Sequence, residues 1–197
     1  MTRTATVKRS TRETTVSVTV DLDGSGDAQV ATGVGFFDHL LSSLSHHSLI
    51  DMSVTTEGDL YVDDHHTVED TALVLGQALS EALGDRAGIE RFADARVPMD
   101  EAVAEAVLDV SGRPYAVIDL PFTADRIGNL STQNIPHALE AFTRTAGLSL
   151  HLKARGANDH HITEAAMKAL GRALDAATQV DERIAGSVPS TKGTLTA

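Results

Sequence analysis

From Val16 to Leu22 the chain alternates without a break, with Val16, Val18, Val20 and Leu22 on one side and Ser17, Thr19 and Asp21 on the other. That period of two predicts a strand with one buried face. Asp23-Gly24-Ser25-Gly26-Asp27 is turn chemistry, and residues 29–34 are expected to come back as the hairpin partner. The pattern turns helical near Phe36-Phe37-Asp38-His39, then predicts a strand over residues 50–56 and a long helix over about residues 64–83. Further on, strands at residues 92–97, 103–110 and 115–120 precede a helix opening near Pro136-His137, where proline suits a first turn. A strand over residues 148–154 and a helix over about residues 159–180 complete the series. Asp64 and Asp159 stand where side chains cap the two long helices.

The residues repeat as well as the elements. Asp64-His65-His66-Thr67-Val68-Glu69 matches Asp159-His160-His161-Ile162-Thr163-Glu164 at a constant offset of 95 positions (160 − 65). Leu75, Gly76, Ala78, Leu79 and Ala82 fall on Leu170, Gly171, Ala173, Leu174 and Ala177, so nine of nineteen residues over 64–82 are identical at that offset. Chance does not produce this, and the chain reads as a duplication. Each half predicts a small, mainly antiparallel sheet with two helices on one face. A half alone buries little, so the two helical layers are expected to pack together in an α+β fold. The whole of residues 1–197 is expected to form one domain, with pseudo-repeats at about 1–88 and 89–185 and a polar tail at 186–197. Gly84-Asp85-Arg86-Ala87-Gly88 is the join.

Composition narrows the function. The formal net charge is −12 and aromatic residues make up 4% with no Trp, which argues against nucleic acid and anionic membrane as partners. A small anionic substrate remains open, because a few Arg and Lys can hold a phosphate on an acidic protein. Cys is absent, which removes disulfides and thiolate metal sites. Residues 1–10 are polar and lack the core of a signal peptide, and no apolar run reaches the ~20 residues that span a bilayer. The expected location is the cytoplasm.

Histidine carries the chemistry. On a helix, Glu69 lies one turn from both His65 and His66, while the two adjacent imidazoles point ~100° apart. They are placed to reach two different ions, and His160, His161 and Glu164 repeat the arrangement. Imidazole with carboxylate suits Mn, Fe, Co, Ni or Zn. His39 and His137, each opening the preceding helix of its half, are candidates to complete two quasi-equivalent sites. Alone, such a pair reads as solvated imidazoles at an exposed helix start; kept twice while Thr67-Val68 became Ile162-Thr163, it reads as a metal motif. His46-His47 closes a helix, where imidazole also complements the C-terminal charge, and His151 belongs to the polar face of a strand.

Together these segments resemble imidazoleglycerol-phosphate dehydratase, a histidine-biosynthetic lyase. The resemblance runs through Arg9-Ser10-Thr11-Arg12-Glu13-Thr14, Gly35-Phe36-Phe37-Asp38-His39-Leu40, Asp64 to Asp70, Ser111-Gly112-Arg113-Pro114-Tyr115, Asn158-Asp159-His160-His161 and Ser190-Thr191-Lys192-Gly193, in family order. Leu40 stands where Met is usual. The resemblance implies two Mn2+ ions per subunit and a homo-oligomeric shell of about 24 subunits with metal sites between neighbours. The implied ligands are His39, His65, His66, Glu69, His137, His160, His161 and Glu164. Substrate contacts are implied at Glu13, His39, His47, His65, Glu69, Arg91, Arg113, His160, Glu164, Lys168, Ser190, Thr191 and Lys192. Arg91, Arg113 and Lys192 offer the forks and point charge that a phosphate requires, and the tail bearing Lys192 is expected to order over it.

The expected reaction is dehydration of imidazoleglycerol phosphate to imidazole acetol phosphate. Charge stabilisation on the ring gives an imidazolate that expels the side-chain hydroxide, a diazafulvene-like intermediate follows, and loss of the neighbouring proton gives an enol and then the ketone. Glu13, Glu164 and His47 are the candidates for proton transfer. Two rivals share the motif: a metal-dependent hydrolase releasing phosphate, and a non-catalytic metal-binding shell protein.

Overall fold

The computed structural model describes residues 3–195. The first half runs β1 (Thr4–Ser10), β2 (Thr14–Asp21), β3 (Ala28–Ala31), α1 (Gly35–Ser48), β4 (Asp51–Gly58) and α2 (His65–Leu83). The second runs β5 (Phe92–Met99), β6 (Ala102–Asp109), β7 (Tyr115–Asp119), the two-residue strands β8 (Arg126–Ile127) and β9 (Leu130–Ser131), α3 (Asn134–Ala146), β10 (Ser149–Arg155) and α4 (Asp159–Thr178). The α+β duplication read from the pattern is the architecture observed. Each half has a four-stranded sheet, ordered β1-β2-β4-β3 and β5-β6-β10-β7, with one parallel edge strand in each.

The alternation works as the sequence implies: Val16, Val18 and Val20 of β2 and Leu150 and Leu152 of β10 are at most 1% exposed. Helix α2 covers β1 and β2, and α4 covers β5 and β6. The helical layers then meet across the halves, α1 against α4 and α2 against α3. Gly76 and Gly171, equivalent in the repeat, sit at these crossings. A Cβ on Gly76 would lie 3.0 Å from the Ala146 nitrogen and still closer to the Phe142 carbonyl and Thr145 Oγ1; on Gly171 it would meet the Leu44 carbonyl at 3.1 Å.

Three expectations need correction. Residues 29–34 do not form a hairpin with β2: β3 pairs in parallel with β4 at the far edge. The Asp51 carboxylate at the start of β4 accepts from the Ser25 and Asp27 amides, both at 2.8 Å, and so carries the loop across β4 instead of folding it back on β2. Residues 4–10, read only as polar, form edge strand β1, which pairs with β2 along its length and buries Val7. Asp64 and Asp159 do not cap. The caps come one residue earlier, where Asp63 accepts from the His65 amide at 2.8 Å and Asn158 from the His160 amide at 2.9 Å. Both displaced aspartates are nearly buried, and both seize the connection before α3. Asp64 accepts from the Ser131 amide and hydroxyl, both at 2.7 Å, and Asp159 from the amides of Thr123 and Ala124 at 3.0 and 2.7 Å. Burial opposes the Asp64 charge, but these donors win and hold its pKa below the usual range.

The tail is anchored too. It follows α4 through a short 3-10 turn, Glu182–Ile184, and ends its described course with Leu195 buried.

Candidate functional site

The crossing of helices decides how the histidines meet. His39 on α1 joins His160 and Glu164 on α4, and His137 on α3 joins His65 and Glu69 on α2, with ligand atoms in each trio within 4.8 Å of one another. Each trio therefore draws on both halves. Glu164 Oε2 lies 3.2 Å from His160 Nε2 and 3.7 Å from His39 Nε2. Glu69 lies 3.5 Å from His65 Nε2 and 3.4 Å from His137 Nε2. Phe36 walls the first trio, its ring 4.9 Å from that of His160.

The donors fit a divalent cation. His137 Nε2 is buried and among the described residues has no hydrogen-bond partner, although it faces a carboxylate and a second imidazole. A buried lone pair without a partner is costly unless a cation takes it. Asn134 prepares its neighbour. The Asp64 carboxylate only accepts, so Asn134 Nδ2 must face it (3.1 Å), which turns Oδ1 toward His65 Nδ1 at 3.2 Å. That oxygen requires a proton on Nδ1 and leaves Nε2 bare toward Glu69.

His66 and His161 take no part in either trio. Their rings stand nearly perpendicular to those of His65 and His160, at 88° and 86°, and point away, as the helical spacing demands. Asp59 lies 3.1 Å from His66 Nδ1, with Glu13 at 3.9 Å from Nε2; Glu101 lies 2.8 Å from His161 Nδ1. Hydrogen bonding to Asp59 and to Glu101 raises the pKa of the respective imidazoles, and Glu101 itself is pulled down to about 2 by His161. Glu164 feels burial pushing its pKa up, but the Lys168 ammonium at 3.0 Å and the nearby histidines pull it lower on balance. His47 lies beside Gly171, farther along α1 from His39, and burial followed by His46 lowers its pKa. His151 is exposed on β10.

Lys168 and Arg144, the latter 3.8 Å from Glu69, are the basic residues beside the trios; the other candidate phosphate groups lie elsewhere. Arg91 lies beside the C-terminal end of α4, its amide donating to the Ala177 carbonyl at 2.9 Å. Its side chain grips Asp109 (2.8 Å) and the Pro189 carbonyl (2.7 Å), and Arg113 stands 3.9 Å from the same aspartate. Ser190, Thr191 and Lys192 follow immediately. From His160 to Ala177 along α4 is about 25 Å at the helical rise, and β6 spans about 24 Å between the same two ends. Within one chain this group and the His39 trio are therefore far apart, much farther than a five-membered ring, three carbons and a phosphate can reach.

Sequence reasoning did not single out Asn134, Asp59 or Glu101. Each is one polar residue in ordinary surroundings, and only the packing shows what it touches.

A family model described as imidazoleglycerol-phosphate dehydratase matches residues 32–174. The chain is 52% identical to the imidazoleglycerol-phosphate dehydratase of Sinorhizobium fredii, over 99% of this chain and 97% of that protein. It is 51% identical to that of Acidiphilium cryptum, over 99% and 100%. Among solved structures it resembles the Staphylococcus aureus dehydratase, with TM-score 0.82 and 31% identity over 90% of this chain and 99% of that one. It also resembles the Pyrococcus furiosus dehydratase in complex with (S)-C348, with TM-score 0.81 and 33% identity over 95% and 99%.

Proposed function

The chain belongs to the imidazoleglycerol-phosphate dehydratase family and is a hydro-lyase of histidine biosynthesis; from that premise we propose how its residues carry out the dehydration. It is metal-dependent, holding two Mn2+ ions per subunit. His39, His160 and Glu164 would hold one cation and His65, Glu69 and His137 the other, and the observation that carries this is the buried His137 Nε2, which among the described residues has no hydrogen-bond partner within its trio. Three ligands from one chain would leave positions open for a neighbour's imidazole and for substrate. When bound, the cations supply Lewis acidity where negative charge develops on the substrate imidazole.

The sites are completed between neighbouring subunits of a homo-oligomer, of about 24 copies by family resemblance. Two features support this. His66 and His161 turn their Nε2 atoms away from their own trios, in position to serve a neighbour's. Arg91, Arg113, Ser190, Thr191 and Lys192 sit at the far end of α4 from the His39 trio of their own chain, so a neighbouring subunit's trio would bring a phosphate within their reach. Glu13 and Glu164, with His47, move the protons: one carboxylate takes the proton from the side-chain carbon, and an acid assists departure of the hydroxide. Lys168 keeps Glu164 ionised. Residues 1–197 act as one domain, its pseudo-repeats at about 1–88 and 89–185, with 186–197 as a substrate-binding tail. Its place is the cytoplasm; among the described residues no helix is long and apolar enough to cross a membrane.

Exhaustive chelation should abolish conversion of imidazoleglycerol phosphate to the ketone, and Mn2+ should restore it. Full activity in protein stripped of metal would refute the reading, as would release of inorganic phosphate in place of ketone.

A further inference from the structure

Arg86, in the join between the halves, is 4% exposed, and among the described residues no carboxylate pairs with it. Its guanidinium instead donates to the Leu195 carbonyl at 2.9 Å, the Ala146 carbonyl at 3.0 Å and Ser80 Oγ at 3.2 Å. Among the described residues its Nε finds no partner, and burial pushes its pKa down. A buried charge satisfied mostly by carbonyls is an unusual expense for a residue with no catalytic task.

The chain around Arg86 is shaped for one occupant. Gly112 and Gly147, joined by a Gly112 N–H to Gly147 carbonyl bond of 2.8 Å, form a wall without side chains. A Cβ on Gly112 would collide with the Leu195 carbonyl and stand 2.8 Å from the Arg86 Nη1; one on Gly147 would stand 2.9 Å from Nη2. Both glycines have φ near +70°, a backbone state that side chains resist. Leu195, 3% exposed, fills the slot.

We propose that Arg86 is a positioning residue that latches the C-terminal tail and thereby sets the place of the Ser190-Thr191-Lys192 loop. The loop is held at both ends, by Arg91 on the Pro189 carbonyl and by Arg86 on the Leu195 carbonyl, with five residues between the anchors. Two fixed ends lower the entropy lost when the loop closes on an anion. Arg86 touches no substrate; it acts through Lys192 and its neighbours, and in this it rests on the phosphate-binding role proposed above for that loop.

The test compares Arg86→Ala, a chain ending at Gly193, and Lys192→Ala. Hydrogen exchange of the amides over residues 187–192 reads the latch without substrate, and KM against kcat for imidazoleglycerol phosphate reads its consequence. Arg86→Ala and the shortened chain should both exchange these amides faster and raise KM roughly tenfold, leaving kcat nearly unchanged. Should Arg86→Ala fail to fold, the shortened chain carries the same test with the guanidinium in place. Unchanged exchange in a folded variant overturns the latch. Faster exchange with an unmoved KM upholds the latch as an anchor but overturns its role in positioning, and Lys192→Ala with unmoved KM shows that the phosphate assignment is what failed.

Discussion

Replacing Gly76 by alanine tests whether the contact between α2 and α3 sets the geometry of the His65–Glu69–His137 trio. In an exposed helix this change would be favourable by about 1 kcal/mol, since glycine is a poor helix former. Here the added methyl meets the Ala146 nitrogen at 3.0 Å and overlaps both the Phe142 carbonyl and Thr145 Oγ1. Thr145 can rotate away only by giving up its 2.8 Å bond to the Leu73 carbonyl, which ties the two helices together. The carbonyl cannot rotate, so α3 must retreat by roughly half an ångström or more to restore ordinary contact. Overpacking of this kind costs about 1–3 kcal/mol and the lost hydrogen bond about 1 more, so the net loss is about 1–3 kcal/mol. For a chain of this size that lowers Tm by roughly 3–10 °C. The retreat also carries His137 away from Glu69, and metal–ligand distances tolerate only ~0.2 Å. Gly171→Ala is the internal control: its nearest contacts, at 3.0–3.2 Å, ask for a few tenths of an ångström, and the helix-propensity gain offsets most of that. Thermal melts by circular dichroism and Mn2+ titration by calorimetry give both readouts. A Gly76→Ala protein as stable as the parent, with both metal sites filled, would refute the argument.

Asn134→Leu removes the group that orients His65 and one donor to Asp64, and should weaken Mn2+ binding at the proposed His65 site by ~10–100-fold while the proposed His39 site keeps its affinity; equal weakening of both would contradict the assignment. Lys192→Ala should raise KM with metal content unchanged, checked by elemental analysis, and loss of metal would mean the residue is misplaced. In the metal-free protein, His66 and His161 hold their protons to higher pH than free imidazole, so the stability they contribute is present below the ordinary histidine pKa and fades as pH rises through the raised values. Glu101 acts in the opposite sense, its contribution fading as pH falls from the usual glutamate range toward about 2. If these imidazoles bind cations, Mn2+ uptake should release protons and weaken as pH drops; proton release that does not vary with buffer pH would exclude them as ligands.

The sequence was most legible where the chain repeats itself. Nine identities at one offset exposed the two halves, and helical spacing alone indicated that His65 and His66 point in different directions, as their perpendicular rings do. What it could not show is which helix lies beside which. His39 precedes His65 in the same half, yet it meets His160, because that choice is made by the crossings at Gly76 and Gly171 and not by anything local. The position of β3 was hidden for a similar reason: alternation marks a strand without naming its neighbour, and here Asp51, binding the loop amides, decided. Asp64 and Asp159 were misread because a residue next to a helix start looks like a cap whichever direction its carboxylate takes. The metal motif was visible; the side chains that aim it, Asn134, Asp59 and Glu101, carry no periodicity that could reveal them.

Because each cation trio borrows one histidine from the opposite half, neither half could coordinate a metal through three ligands on its own. A chain of half this length would have had to pair with a twin, and that pair would have owned two identical centres from the outset. Fusion of such twins would free the two copies to diverge, as the buried Ile162 and Thr163 differ from Thr67 and Val68 while both centres keep the same His and Glu. Nicking the polypeptide near Asp85 and mixing the fragments should restore metal uptake that each fragment lacks alone.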